Sequence, residues 1–159
     1  MENILDILEK NNRLNDEQIA LMLGRSVEEV RDTIKKLEDE GIILGYNTLI
    51  NWEKTERETV TALIEVKVTP QRGEGFDKVA DRIYRFTQVK ACYLMSGGFD
   101  LTVIVEGKTM KEVALFVAEK LAPLESVLST ATHFVLKKYK DKGVIFEKKE
   151  KDDREAVVL

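Results

Sequence analysis

The chain is poor in the residues that most catalytic and metal centres need. Its 159 residues include one cysteine, Cys92, one histidine, His133, and two prolines. A single cysteine cannot form an internal disulfide, and one histidine beside it cannot complete a structural zinc site. The same scarcity excludes most histidine-dependent catalysis. We therefore expect a protein that is not an enzyme and that uses no metal and no cofactor.

Long apolar runs are also absent. The sequence has no stretch of about 18 apolar residues, and its beginning lacks the basic-then-apolar pattern of a signal peptide. The composition is 43% hydrophobic and 34% charged, which is typical of a globular protein. A chain of this length buries about 70% of its unfolded surface when it folds. These features predict a cytoplasmic protein with no membrane partner.

The N-terminal third of the sequence has the periodicity of short helices. Apolar side chains recur every three to four residues over residues 4–37, which predicts three helices. Asn15 followed by Gln18, and Ser26 followed by Glu29, are capping-box patterns. They predict where the second and third helices begin.

The second and third helices have the sequence skeleton of a helix-turn-helix. Ala20 permits a close helix crossing, Gly24 suits a turn with positive φ, and Val30 packs the third helix on the second. We therefore expect residues 1–45 to form a DNA-binding domain whose third helix enters the major groove of double-stranded DNA. A helical hairpin without a DNA role is the alternative.

The charge of this segment is acidic for a DNA-binding domain. Residues 1–47 contain six lysines and arginines against eleven aspartates and glutamates, a net charge of −5. Because phosphates repel carboxylates, binding would depend on a few cations and polar groups and on several copies acting together. The predicted DNA-binding residues are Arg25, Ser26, Arg31, Asp32, Lys35 and Lys36.

The remainder of the chain alternates between strand and helix periods. A polar linker is predicted at residues 46–58, and the order β-α-β-β-α-β over residues 59–139 predicts a ferredoxin-like fold with both helices on one sheet face. The fold class is therefore α+β, and residues 140–159 form a charged tail. The sheet face without helices would pack against a second subunit. Strict alternation places on this face Leu63, Cys92, Leu94, Ile104, Leu128, Thr130, Thr132 and Phe134.

The turn between the second and third strands has the features of a small-molecule site. Gly97 and Gly98 leave backbone N–H groups accessible to an anion, and Asp100 supplies a carboxylate for an ammonium group. Strand alternation directs Asp100 away from the helices, so we expect it to matter for a ligand and not for folding. A tight hairpin with a solvent-facing aspartate is the alternative.

Four stretches of the chain carry a resemblance to a known family: LNDEQIALMLGRSVEEVRDTIKKLEDEGIILGY, TALIEVKV, YLMSGGFDLTVIVEG and VLSTATHFVLKKY. In order and spacing they resemble the Lrp/AsnC (feast/famine) transcription regulators over essentially the whole length. The sequence departs from the family at Thr33, where an arginine is common, and in its acidic third helix.

The resemblance implies both the assembly and the ligand. Family members pair their sheet faces as homodimers, commonly assemble into tetramers or octamers, and bind an amino acid between dimers near the glycine-aspartate turn. The recognition helix would be residues 26–40. The implied effector-binding residues are Gly97, Gly98, Phe99, Asp100, Ser129, Thr130 and Thr132.

Together these observations predict a sequence-specific DNA-binding transcription regulator that responds to a small effector, an amino acid. Two alternatives remain. An amino-acid-sensing oligomer without DNA binding would explain the acidic helix-turn-helix. A siroheme decarboxylase-like enzyme has the same architecture, but that chemistry calls for more histidines than His133.

Overall fold

The computed structural model describes residues 2–69 and 75–147, and these residues divide into two compact units between residues 49 and 50. The remaining residues, including most of the predicted charged tail, lie outside the described part. No helix within the described part is long and apolar enough to cross a membrane. The same residues contain no group of three or more His, Cys, Asp or Glu side chains that could hold a metal ion.

The first unit consists of three helices: α1 (Glu2–Lys10), α2 (Asp16–Leu23) and α3 (Val27–Asp39). Both predicted capping boxes are confirmed, at the start of α2 and at the start of α3. The helices bury one face each, because their apolar residues recur at helical spacing. The fully or nearly fully buried side chains are Ile4, Ile19, Ala20, Val30 and Leu37.

The second unit is an antiparallel four-stranded sheet with two helices. A single 3₁₀ turn (Trp52–Lys54) precedes the strands. The elements are β1 (Val60–Val68), α4 (Asp77–Tyr84), β2 (Val89–Leu94), β3 (Leu101–Gly107), α5 (Met110–Phe116) with a π turn (Val117–Leu121), and β4 (Val127–Phe134).

The strand order is β2-β3-β1-β4, with all neighbours antiparallel. This confirms the α+β fold class with a four-stranded antiparallel sheet. Both helices pack on one sheet face, around Ile64, Val103, Ile83 and Phe116. A short hairpin follows β4 where the sequence predicted only a tail: β5 (Lys140–Asp141) pairs with β6 (Val144–Ile145).

The strand register shows that part of the predicted face assignment was wrong. Leu63 pairs with Ile104 and lies opposite the helices, as predicted. Five other residues lie in register with core positions instead: Cys92 pairs with Val103, Leu94 with Leu101, Thr130 with Val66, Thr132 with Ile64, and Phe134 with Ala62.

Two bulges explain the error. The register shifts between Val89 and Ala91 in β2, and Leu128 is an extra residue in β4 opposite the step from Lys67 to Val68. One added residue moves every later side chain to the other face. Leu128 itself lies at the bulge and is 69% exposed.

The sheet face opposite the helices, called the open face below, therefore has a different composition from the predicted one. Leu63 and Ile104 are its large aliphatic residues and are half-buried, and neither belongs to the core cluster. From the pairing register, the open face carries Thr61, Leu63, Glu65, Lys67, Ala91, Tyr93, Thr102, Ile104, Glu106, Ser129, Ala131 and His133.

Candidate nucleic-acid interface and effector turn

The turn between α2 and α3 is built by local hydrogen bonds. Asn15 Oδ1 accepts from the Gln18 N–H at 2.9 Å, and Ser26 Oγ accepts from the Glu29 N–H at 3.2 Å. Gly24 ends α2 with φ +62°, a conformation that favours glycine. The N–H groups of Gly24 and Arg25 both donate to the Ala20 carbonyl. These contacts set the angle at which α3 leaves α2.

The outward side of α3 carries paired charges. The Lys35 ammonium contacts both carboxylate oxygens of Asp39, at 2.9 and 3.2 Å, and Lys36 lies 3.7 Å from Glu40. The hydrogen bond to Asp39 raises the pKa of Lys35 above its ordinary value. Both lysines are exposed, so these pairs within one helix contribute little to stability.

Arg31 has a partner on a different helix. Its Nε–H donates to Asp16 Oδ2 at 3.1 Å, across the junction of α3 and α2. No sequence pattern indicates a role for Asp16, because a contact across 15 residues leaves no local signal. Arg25 makes no side-chain hydrogen bond or ion pair with the described residues, and it lines a shallow 420 Å³ depression with Glu29, Asp32 and Thr33.

The structure thus brings all six predicted DNA-binding residues to α3 or to the turn before it. Ser26 accepts a backbone hydrogen bond, which leaves its hydroxyl hydrogen free to donate to a phosphate. Thr33, which stands where the family often has arginine, donates its hydroxyl to the Glu29 carbonyl at 2.7 Å.

The turn between β2 and β3 is fastened to β1 through Asp100. Its carboxylate Oδ2 accepts from the Val68 N–H at 2.9 Å, and its backbone N–H donates to the Val66 carbonyl at 3.0 Å. Its carbonyl accepts from the Met95 N–H at 2.8 Å. The carboxylate therefore has a structural partner, contrary to the expectation that it matters only for a ligand.

The predicted effector residues fall on two sides of the sheet. Gly97 has φ +122° at the tip of the turn. Thr130 pairs with Val66, the residue that also binds the Asp100 backbone, whereas Ser129 pairs with Lys67 and lies on the open face. The structure brings Thr130 and Asp100 to the same stretch of β1 and places Ser129 on the opposite face from Thr130.

The single histidine belongs to the open face. His133 Nε2 lies 3.5 Å from Glu65 Oε1, and both side chains remain accessible to solvent. The strand register places His133 opposite Leu63. This arrangement fits a surface histidine rather than a catalytic one.

A helix-turn-helix with an exposed third helix, followed in the same chain by a ferredoxin-like domain, defines a DNA-binding transcriptional regulator with a separate ligand-binding domain. Family models support each part: residues 2–43 match a winged helix-turn-helix DNA-binding model, and residues 61–145 match the Lrp/AsnC ligand binding domain. The chain belongs to the Lrp/AsnC family of transcriptional regulators.

Curated relatives share most of its length. The uncharacterised HTH-type transcriptional regulator YugG of Bacillus subtilis is 53% identical over 156 residues, which is 98% of this chain and 93% of that protein. The leucine-responsive regulatory protein of Escherichia coli is 26% identical over 140 residues, covering 87% of this chain and 84% of that protein. These relatives are transcriptional regulators.

Solved structures share the fold. A feast or famine regulatory protein from Mycobacterium tuberculosis, complexed with L-methionine, superposes with a TM-score of 0.72 at 19% identity over 88% of this chain and 92% of that chain. An L-methionine complex of a transcriptional regulator from Neisseria meningitidis superposes with a TM-score of 0.69 at 23% identity. The match covers 87% of this chain and 89% of that chain.

Proposed function

We propose that this protein regulates transcription without catalysis, by binding specific double-stranded DNA sequences through α3 in response to an amino acid. The observation that carries the proposal is the capped α2–turn–α3 unit, which presents α3 to solvent along its polar side. A helix held in this way can lie in the major groove with its N-terminal residues at the base edges.

DNA contacts are assigned to Arg25, Ser26, Arg31, Asp32, Lys35 and Lys36. Arg25 and Ser26 suit phosphate contacts at the start of α3, and Asp32 can accept from a cytosine amino group. Lys35 and Lys36 must exchange their carboxylate partners for phosphates. The first unit therefore binds DNA weakly as a single copy, and affinity comes from two or more units acting on one duplex.

Homodimers supply those copies through the open face. Leu63, Ile104 and Tyr93 lie together on strands β1, β3 and β2, outside the core. Apolar side chains in such a position gain stability when a second sheet covers them. Two α3 helices then read two half-sites of a pseudo-palindrome, and tetramers or octamers add further half-sites.

The effector is assigned to the turn at Gly97, Gly98, Phe99 and Asp100. Of the hydroxyl groups predicted to join it, Ser129 lies on the opposite sheet face from Thr130 and Thr132, so the three cannot all contact one ligand from a single subunit. Asp100 uses one carboxylate oxygen for Val68, and the other has no partner among the described residues. An ammonium group can bind there while the glycine N–H groups face the ligand carboxylate. The two related structures that contain L-methionine support an amino acid as the ligand class.

One experiment tests the regulator against the sensor alternative. The full-length protein is used to select duplexes from a random DNA library, and a thermal-shift screen of the twenty amino acids follows on the same preparation. Selective enrichment of a sequence, and a change in its affinity with one amino acid, are expected. Amino-acid binding without any DNA selection would favour the sensor, which the −5 net charge of residues 1–47 makes a specific alternative.

A further inference from the structure

The cations of α3 are not equivalent. Lys35 and Lys36 pair with Asp39 and Glu40 within the same helix, one turn away, and all four side chains are well exposed. Arg31 pairs instead with Asp16, the first residue of α2. A capping box fixes the start of α2 and with it the position of Asp16. The Arg31–Asp16 pair therefore restrains Arg31 relative to the helix-turn-helix framework, whereas the lysine pairs restrain only flexible surface chains.

The pair uses only one donor of the guanidinium group. Nε of Arg31 donates to Asp16 Oδ2 at 3.1 Å, and neither terminal nitrogen makes a hydrogen bond to any residue in the described ranges. The Arg31 side chain is 60% exposed, against 33% for Asp16. The forked end of the guanidinium group therefore faces solvent while its stem side is held.

That remaining fork has a specific chemical complement. Guanine presents N7 and O6 as two adjacent acceptors in the major groove, and a guanidinium fork binds both in one plane. An arginine oriented before binding loses less side-chain freedom on contact than a free one does. Arg31 is also the fifth residue of α3, in the half of a recognition helix that meets base edges.

We propose that Asp16 is a positioning residue that holds Arg31 for bidentate recognition of a guanine in the major groove. This inference rests on the proposed DNA-binding function. It also carries an opposing effect, because the Asp16 carboxylate repels phosphates. Removing Asp16 should therefore weaken discrimination at one base pair while leaving unrelated DNA bound as well as before, or better.

Glu17 provides a matched control. It is the next residue of α2, carries the same charge, is exposed, and makes no hydrogen bond or ion pair with the described residues. Asp16→Ala and Glu17→Ala thus remove the same charge from the same helix turn. Only the first removes the partner of Arg31.

The test uses the full-length protein and the best duplex it selects from a random library. Affinities are measured for that duplex, for copies in which each G·C pair in turn becomes A·T, and for an unrelated duplex, at several salt concentrations. For the unchanged protein, replacement of one G·C pair should weaken binding about tenfold or more. In the Asp16→Ala variant the same base-pair replacement should weaken binding by no more than about threefold. In the Glu17→Ala variant it should weaken binding as much as in the unchanged protein. Arg31→Lys should also abolish this discrimination, with no further loss when Asp16→Ala is added.

Asp16→Asn serves as a second variant, because it keeps an acceptor and the shape of the side chain and should retain part of the discrimination. Thermal melting identifies any variant that is unfolded, in which case Asp16→Asn alone decides. The role of Asp16 would be overturned if Asp16→Ala, or Asp16→Asn where Asp16→Ala is unfolded, discriminated between base pairs as fully as Glu17→Ala does. If the unchanged protein selects no sequence at all, the proposed function fails, which is a separate outcome.

Discussion

At the scale of single residues, the hydrogen bond from the Val68 N–H gives the Asp100 side chain a structural role. Val68 is buried at the end of β1, two residues beyond Val66, whose pairing with Leu101 is the last between β1 and β3. A buried N–H without an acceptor is costly, so the Asp100 carboxylate replaces the missing strand partner. The same residue thereby fastens the proposed effector turn to the sheet.

Replacing Asp100 should therefore destabilise the protein. Asp100→Ala removes the acceptor of the Val68 N–H and should lower the free energy of unfolding by about 1–3 kcal/mol. Asp100→Asn keeps a side-chain oxygen and should cost less. Urea denaturation measures both, with Glu125→Ala, an exposed loop carboxylate, as the control. An Asp100→Ala variant as stable as that control would show that the hydrogen bond contributes nothing.

Tyr46 forms another such side-chain hydrogen bond, which connects the segment after α3 to α3 itself. Its hydroxyl donates to Glu38 Oε1 at 2.8 Å. Partial burial, followed by the hydrogen bond to Glu38, raises the pKa of Tyr46 from 10.0 to about 12. The protonated form is therefore favoured in the folded protein.

This shift predicts a specific alkaline titration. Because the folded pKa is the higher one, the stabilisation is complete below pH 10 and is lost as the pH rises toward 12. The ultraviolet tyrosinate difference spectrum between the unchanged protein and Tyr46→Phe should show one group with a midpoint near the raised value. Tyr93→Phe, on the open face, is the comparison. If the tyrosine lost in Tyr46→Phe titrated at the ordinary tyrosine pKa, the result would contradict the Glu38 contact.

At the scale of secondary-structure elements, local sequence sets helix ends and nonlocal pairing sets strand faces. Asn15 and Ser26 cap their helices through residues three positions away, so their patterns could be read directly. The bulges at residues 90 and 128 depend on how strands pair across the sheet. Strict alternation therefore failed in β2 and β4 and held in β1 and β3.

The turn between α2 and α3 should be sensitive to one glycine. Gly24 has φ +62°, so Gly24→Ala forces an L-residue into the left-handed region and should cost about 1–2 kcal/mol of unfolding free energy. No neighbouring atom lies within 4 Å of the added Cβ, so backbone strain alone is responsible. Gly98→Ala also meets open space but does not require positive φ, and its melting temperature should hardly change. Equal effects for both variants would contradict this account.

At the scale of the whole molecule, the open face is the surface through which the proposed homodimer would form. Leu63 and Ile104 lie side by side on β1 and β3, and Tyr93 extends the apolar surface across β2. A charged group placed in the middle of this surface would be buried without a partner if a second sheet covered it. A charged substitution in the middle of the open face should therefore prevent formation of the proposed dimer.

Ile104→Glu should abolish self-association. Light scattering at micromolar concentration should give the mass of a dimer or larger assembly for the unchanged protein and a monomer for this variant. Leu128→Glu, which adds the same charge at the exposed bulge, should leave the assembly intact. A stable monomer for the unchanged protein would rule out the dimer, and with it the cooperative DNA binding that depends on two copies.

The sequence by itself determined the helices, their caps, the left-handed turn at Gly24 and the order of elements in the second unit. Each depends on residues that lie a few positions apart, so the causes are visible in a short window. The glycine-aspartate turn and the cations of α3 were also identifiable, because their residue types are distinctive.

Only the tertiary structure decided which face each strand residue occupies, what Asp100 binds and which carboxylate holds Arg31. Val68 lies 32 residues from Asp100, and Asp16 lies 15 residues from Arg31. Such partners meet only after strands pair and helices pack. The chemistry of these side chains is thus encoded locally, but their roles depend on nonlocal packing, since a one-residue bulge or a helix crossing determines which groups come within hydrogen-bonding distance.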